Sequence, residues 1–270
     1  MDICRLREGL ELIYEKYNKR NFVTPDPLQF LYKFYNFEDI ELAGLISSSF
    51  AYGKVENIIN FLEKLFRIIK SPSEFLSLSD KKIIKNLSGL KYRFTKDFEI
   101  INFFLCLKKV LKEKTSLYKL FFEEYNKSKN MINAIKMFIK YFYENSKSKI
   151  NSLLPDYRKN SAFKRFFLFL RWMVRKDEVD LGIWDGISSA DLIYPVDTHI
   201  YKFAKEFNFT KRQVVNLTTA IEITEGFKKI NPEDPVKYDF VITRFGINPL
   251  LKFLKKEVYH GLSTMGNTWN

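Results

Sequence analysis

Residues 192–203, LIYPVDTHIYKF, contain one of the two histidines in a chain of 270 residues. Pro195 disfavours helical backbone at the residue before it, and the apolar residues that follow recur at helical spacing. A helix is therefore predicted to begin near Asp197, and aspartate is among the preferred N-cap residues. Capping alone explains Asp197, but a helix N-terminus also favours a charged carboxylate, which can stabilise a developing positive charge. Both roles remain open at this point.

The segment 162–176, AFKRFFLFLRWMVRK, predicts a helix that is mostly buried, because apolar side chains extend around much of its circumference. At about 100° per residue, Lys164, Arg171 and Arg175 fall within a window about 40° wide. This basic stripe is either the one solvated side of the helix or an edge that lines a cleft and receives an anion. In the second case, the amine of Lys164 can also serve as a nucleophile.

Helical periodicity dominates the rest of the chain, and the low content of glycine (10) and proline (8) favours long helices with few turns. No pair of segments shows the alternation expected of β-strands. We therefore expect an all-α fold. The polar stretch ENSKSKINSLLPDYRKNS, residues 144–161, is predicted to be a linker or a surface loop.

The chain carries 45 basic and 32 acidic residues, which gives a formal net charge of +13. A basic surface attracts polyanions through its long-range field and through the release of counterions. An AT-rich genome also produces such a composition, with abundant lysine, isoleucine, asparagine and aromatic residues. The charge therefore permits nucleic-acid binding without identifying it.

The two cysteines, Cys4 and Cys106, are far apart and lack CxxC spacing, so a zinc site and a disulfide framework are not expected. We expect no metal and no cofactor. The N-terminal segment MDICRLREGLELIYEKY is charged from its start, unlike a signal peptide, and no apolar run of about 18 residues predicts a membrane span. These features favour a cytoplasmic protein without a membrane partner.

The segment PVDTHIYKFAKEF, residues 195–207, closely resembles the part of the helix-hairpin-helix DNA glycosylase superfamily that carries the catalytic aspartate. Other segments resemble the same superfamily in the same order. ELAGLISSSFAYGKVENIINFLEKLF (41–66) is similar to its early helix pair, LLPDYRKNSAFKRFF (153–167) occupies the place of its hairpin, and DPVKYDFVITRFGI (234–247) is similar to its late helix. In outline the resemblance covers residues 38–250.

Within the superfamily, KRFFLFLRWM resembles the helix of the archaeal 8-oxoguanine DNA glycosylases that begins with the catalytic lysine, here Lys164, 33 positions before Asp197. The wider pattern FKRFFLFLRWMVRKD…LGIW…PVDTH also resembles a bacterial family of conserved proteins of unassigned function. The chain departs from the better-known glycosylases at the hairpin, where Asn160 and Ser161 stand in place of Gly-x-Gly. It also lacks the four-cysteine cluster of some branches.

The resemblance implies an all-α, two-lobed fold with a cleft between the lobes, formed as one unit by residues 1–270. One lobe would comprise residues 36–150 together with a hairpin region, residues 151–176. The other lobe would comprise residues 1–35 and 177–270 and would carry the catalytic aspartate.

The resemblance also implies the chemistry of a bifunctional glycosylase. In such an enzyme a lysine attacks C1′ of the sugar and forms a Schiff base after the base is lost, which allows β-elimination and nicking of the strand. Lys164 would take this role. Asp197 would remain ionised, orient or deprotonate the amine, and stabilise positive charge on the sugar.

Contacts with substrate or DNA are further implied for six residues: Arg171, Arg175, Phe50, Tyr52, Trp184 and His199. The two arginines would bind phosphate, the Phe–Tyr pair would fill the gap left by the flipped base, and the tryptophan would stack on that base. The alternative role is core packing for the aromatic residues and a local hydrogen bond for the histidine.

Three functions follow from these observations. The first is a monomeric base-excision-repair DNA glycosylase with AP lyase activity, acting on double-stranded DNA that contains an oxidised purine such as 8-oxoguanine. The second is a non-catalytic nucleic-acid-binding protein of the same fold, in which Lys164 only contacts phosphate. The third is an all-α scaffold for a protein partner, with the positive charge a consequence of composition alone.

Overall fold

The computed structural model describes residues 3–147 and 150–247, and this part of the chain is built from helices. It contains no β-strand, and its isolated bridges are Tyr92–Thr95 and Lys176–Leu181. The all-α class predicted from the sequence is confirmed. Within the same residues, no helix combines the length and the apolar character that crossing a membrane requires. Two residues of the predicted polar loop and the C-terminal end of the predicted second lobe lie outside these ranges.

The chain divides into two compact units. Unit 1 comprises Met1–Asp26 and Ala162–Asn270, and unit 2 comprises Pro27–Ser161. In the division predicted from the sequence, residues 27–35 belong to the second lobe and residues 162–176 to the first. In the structure, the former lie in unit 2 and the latter in unit 1.

Most of the helices are amphipathic, and α3 shows the common pattern, with one buried apolar face and an opposite polar face. Short 3-10 segments separate some of them. In chain order the α-helices are α1 (Ile3–Tyr17), α2 (Phe37–Ser49), α3 (Val55–Ile69), α4 (Pro72–Ser77), α5 (Asp80–Leu87), α6 (Asp97–Lys114), α7 (Leu117–Ser128), α8 (Met131–Asn145), α9 (Lys164–Val174), α10 (Thr198–Glu206), α11 (Leu217–Lys228) and α12 (Asp239–Ile247).

Helix α2 is the central helix of unit 2, because all of its residues from position 39 onward are buried. Its two buried acidic side chains act on other helices. Glu41 accepts hydrogen bonds from the backbone N–H groups of Leu117 and Tyr118, at 2.9 and 3.0 Å, where α7 begins. Asp39 accepts one from the N–H of Ser73 in α4, at 2.7 Å. The first amides of a helix have no partner within it, so these carboxylates satisfy them and fix the packing of unit 2.

Unit 1 is formed by two stretches that are far apart in sequence. Glu11 in α1 accepts hydrogen bonds from Lys237 and Tyr238, at 2.7 and 2.6 Å. Asp26 accepts one from the guanidinium of Arg244 in α12, at 2.6 Å. The first 26 residues are therefore part of the structure of unit 1 and not an appended arm.

The core of unit 1 positions the start of α10. Tyr194 stacks on Phe227 of α11 with ring centroids 4.2 Å apart, and Phe203 of α10 stacks on the same ring at 5.7 Å. Asp197 lies between Tyr194 and Phe203 in sequence, so packing on both sides holds it in place. Helix α9 is almost fully buried, as its composition predicts.

Candidate active site

Lys164 is the first residue of α9, and its side chain is partly exposed. The residue before it, Phe163, is buried and has a left-handed backbone conformation (φ 45°), which bulky residues seldom adopt. The carbonyl of Phe163 accepts the first helical hydrogen bonds, from Phe166 and Phe167. No residue of the described ranges forms a hydrogen bond or an ion pair with the Lys164 amine. The amine is thus not held in an ion pair with any of them.

Asp197 is the N-cap of α10, as predicted. Its Oδ1 atom accepts hydrogen bonds from the backbone N–H groups of His199 and Ile200, both at 2.8 Å. The side chain is partly exposed, and none of the described residues donates a hydrogen bond to its second oxygen, Oδ2. One oxygen therefore fixes the carboxylate while the other remains open to a substrate or a proton donor.

An ion pair links α9 to α12, and α12 packs against α10. The guanidinium of Arg171 pairs with the carboxyl group of Asp239, the first residue of α12. Burial raises the pKa of Asp239 to about 7; Arg171 opposes this effect, and the negative charge of Asp197 adds to it. Asp197 therefore lies near Asp239. Lys164 lies two helical turns before Arg171, about 10 Å along the axis and on the same face of α9.

The structure corrects the interpretation of the basic stripe. Arg171 and Arg175 are each only 3% exposed, so they form neither a solvated face nor a surface available to DNA phosphate. Their partners are the carboxylates of Asp177, Asp180, Asp234 and Asp239. A guanidinium is tolerated in the interior only when it is paired in this way. No group of three or more metal-ligating side chains in the described ranges is arranged to hold a metal ion.

The aromatic residues predicted to contact a base lie in different parts of the structure. Trp184 is 2% exposed and packs edge-on against Phe169 in unit 1, with ring centroids 5.1 Å apart. Phe50 is fully buried in unit 2. Both are core residues, so the predicted contacts with a base are not supported for them, and the alternative role holds. Tyr52, also in unit 2, is partly exposed and stacks on Phe94. His199 is partly exposed next to Asp197.

Sequence reasoning missed two residues of the site, Asp239 and Tyr194. Tyr194 is buried, and burial, together with the charge of Asp239, raises the pKa of its hydroxyl far above the usual value. Neither the Tyr194 hydroxyl nor Oδ1 of Asp239 has a hydrogen-bond partner among the described residues. No local pattern identifies Asp239, because its partner Arg171 lies 68 residues earlier in the chain.

These observations define an all-helical protein in which a lysine and an aspartate stand at the N-termini of two helices of one unit. The family model described as protein of unknown function (DUF2400) matches residues 26–248, and the protein belongs to that family. The match includes Lys164, Asp197 and Asp239. No curated protein and no solved structure matches the chain.

Proposed function

We propose that the protein is a base-excision-repair DNA glycosylase with AP lyase activity, acting as a monomer in the cytoplasm. Its substrate in this proposal is double-stranded DNA that contains an oxidised purine such as 8-oxoguanine. The proposal combines the resemblance of the Lys164 and Asp197 segments to the helix-hairpin-helix glycosylases with the surroundings of the two side chains.

The observation that carries the proposal is that the Lys164 amine and one oxygen of Asp197 are open to a substrate. The Lys164 amine has no partner among the described residues and is partly exposed, so it can reach a substrate. Asp197 has one oxygen fixed by two backbone amides and the other open. Arg171, on the same face of α9 as Lys164, pairs with Asp239, which lies near Asp197. Lys164 and Asp197 both belong to unit 1.

In the proposed reaction, the damaged base is flipped out of the duplex. The deprotonated amine of Lys164 attacks C1′ of the sugar, and the bond between C1′ and the base breaks, so that the base leaves with the bonding electrons and takes up a proton. Opening of the sugar ring gives the Schiff base between Lys164 and C1′. Loss of a C2′ proton then expels the 3′ phosphate, which nicks the strand.

Asp197 has two tasks in this reaction. Before the attack it accepts the proton of the Lys164 amine and passes this proton to the departing base. Ionised again, it stabilises the positive charge that develops on the sugar. Because its Oδ1 is fixed by the amides of His199 and Ile200, the orientation of Oδ2 is set before the substrate binds.

Borohydride trapping tests the proposal. Borohydride reduces a Schiff base, so wild-type protein mixed with a duplex that contains 8-oxoguanine should give a covalent protein–DNA band on a denaturing gel. Lys164→Ala should give none. Lys202→Ala is the matched control, because Lys202 is an exposed lysine of α10, and it should cross-link like wild type.

Two results would refute the proposal. One is wild-type protein that cross-links to none of a panel of duplexes with oxidised purines. The other is Lys164→Ala that cross-links as well as wild type. Salt-dependent binding of undamaged duplex without a cross-link would instead support the non-catalytic nucleic-acid-binding protein.

A further inference from the structure

Two loops of unit 2 are held together by a pair of tyrosines. Residues 51–54 connect α2 with α3, and residues 88–96 connect α5 with α6. The Tyr52 hydroxyl donates a hydrogen bond to the carbonyl of Tyr92 at 3.2 Å, and the Tyr92 hydroxyl donates one to the carbonyl of Tyr52 at 2.5 Å. This reciprocal pair gives the two loops a fixed relative position.

An aromatic pair and a guanidinium lie on the outer side of these loops. Phe94 stacks on Tyr52, with ring centroids 5.1 Å apart and planes 27° apart, and yet 64% of its surface is exposed. The Arg93 guanidinium lies over the Tyr52 ring, 5.9 Å from its centre. Gly53 allows this position, because a Cβ atom there would lie 2.1 Å from the Arg93 Nη1 atom.

The charges of the two loops have one sign. They contain four basic residues and no acidic residue: Lys54, Lys91, Arg93 and Lys96. One acidic residue, Glu56, follows in the first turn of α3. The carboxylates at the start of α6 are engaged by the backbone. Asp97 accepts a hydrogen bond from the N–H of Gly89 at 2.9 Å, and Glu99 accepts one from the N–H of Lys96 at 3.2 Å.

We propose that this aromatic–basic loop surface, formed by Tyr52, Arg93, Phe94 and the three lysines, binds an unpaired DNA strand, with one base stacked on the Phe94 ring. A lone exposed phenylalanine needs no explanation. Here the ring is held by a second ring, and the two loops that carry the rings have only basic charged residues. This combination binds single strands by base stacking and phosphate attraction. One exposed ring is too small an apolar area for a stable protein interface. The choice of DNA over RNA rests on the proposed function.

Fluorescence anisotropy tests this proposal with the full chain and a labelled, undamaged single-stranded DNA of about 16 nucleotides. We expect Phe94→Ala to raise the Kd roughly tenfold, since stacking of one base is lost. Arg93→Ala should lower the slope of log Kd against log salt by about 0.7, the value for one phosphate contact on a single strand.

Two matched controls lie in the same unit. Phe37 is 40% exposed and packs edge-on against Tyr118, but Glu38 follows it. Arg158 lies over a tyrosine ring at 5.7 Å, as Arg93 does, but it is paired with Asp156. Phe37→Ala and Arg158→Ala should bind the strand like wild type, and circular dichroism should show the wild-type helix content for all four variants.

The proposal is overturned if wild type does not bind the strand or if Phe94→Ala binds it as tightly as wild type. Binding of an RNA strand of the same sequence but not of the DNA would overturn the choice of DNA. The outcome is separate from that of the trapping experiment, because the strand carries no lesion and anisotropy measures binding without a covalent cross-link. Failure of either proposal is thus recognisable by itself.

Discussion

Asp239 combines burial, one cationic partner and two acidic neighbours in the interior of unit 1. Arg171 pairs with one of its oxygens, and the charges of Asp197 and Asp180 act on it from the start of α10 and from the segment after α9. Burial and the two acids raise the pKa of Asp239 to about 7, from an ordinary value of 3.8, although Arg171 lowers it. With this pKa the carboxyl group of Asp239 loses its proton near neutral pH, within range of the charge of Asp197.

This raised pKa predicts a dependence of stability on pH. Between about pH 4 and pH 7, folded Asp239 binds a proton that the unfolded chain has lost. Its contribution to the free energy of unfolding is present below about pH 4 and falls as the pH rises to about 7, by at most about 1.4 kcal/mol per pH unit. Asp239→Asn cannot ionise. Urea unfolding should therefore show that this variant gains stability relative to wild type between about pH 4 and about pH 7.

Asp177→Asn is the control for this measurement. Burial raises the pKa of Asp177, but the charge of Arg175 and hydrogen bonds from backbone amides and Tyr14 together outweigh burial, so the pKa lies below its ordinary value. Its contribution to stability is therefore complete above about pH 4 and is lost only in more acidic solution. The stability of Asp177→Asn relative to wild type should stay constant over the same pH range. An equally constant difference for Asp239→Asn would contradict the raised pKa.

At the level of the helix, Asp197 has a structural role that can be separated from its proposed chemical role. Asparagine caps a helix as well as aspartate does, whereas alanine costs about 1 kcal/mol. We expect Asp197→Asn to keep wild-type stability and to lower the rate of borohydride trapping by about a hundredfold or more, because its amide cannot accept the proton. Asp197→Ala should lose about 1 kcal/mol of stability and should also show the lowered rate of trapping. Urea unfolding and trapping kinetics measure the two effects.

Asn216 provides the matching control for a purely structural cap. It caps α11 by accepting a hydrogen bond from the N–H of Thr219 at 3.0 Å. Asn216→Ala should cost about 1 kcal/mol, as Asp197→Ala does, and should leave trapping unchanged. Loss of trapping in Asn216→Ala, or normal trapping in Asp197→Asn, would show that stability alone explains the effect.

The same two helices show what the sequence could predict. The start of α10 was predictable because Pro195 and the capping chemistry of Asp197 act within a few residues. The burial of α9 was predictable from its composition. The environment of its arginines was not, because the carboxylates of Asp234 and Asp239 lie 59 and 68 residues away in sequence. Helical spacing gives the direction of a side chain but not what the fold places in front of it.

For the whole molecule, the helical class followed from periodicity, while the assignment of segments to units did not. Unit 1 closes through contacts across more than 200 residues, such as those of Glu11 with Lys237 and of Asp26 with Arg244. Each of these contacts is a single pair of charged side chains, and a single pair leaves no periodic pattern in the sequence. Unit 2 is continuous in sequence, and its buried carboxylates are satisfied within it, as Glu41 is by α7.

This difference predicts how fragments fold. A continuous unit with its own core should fold alone, so Pro27–Ser161 expressed by itself should be helical by circular dichroism and should unfold in one cooperative transition in urea. The chain without Met1–Asp26 should instead lose the structure of unit 1, because Lys237, Tyr238 and Arg244 lose their acidic partners and α12 loses the helix packed against it.

Hydrogen exchange distinguishes the two units in the shortened chain. Amides of unit 2, such as those of Leu117 and Tyr118 bound to Glu41, should keep the protection that they have in the full chain. Amides of α10 and α12 should exchange much faster, and trapping through Lys164 should be lost with them. Full protection of α12 without α1 would mean that the C-terminal stretch folds alone, and the charged pairs with the first 26 residues would then be surface contacts of little energetic consequence.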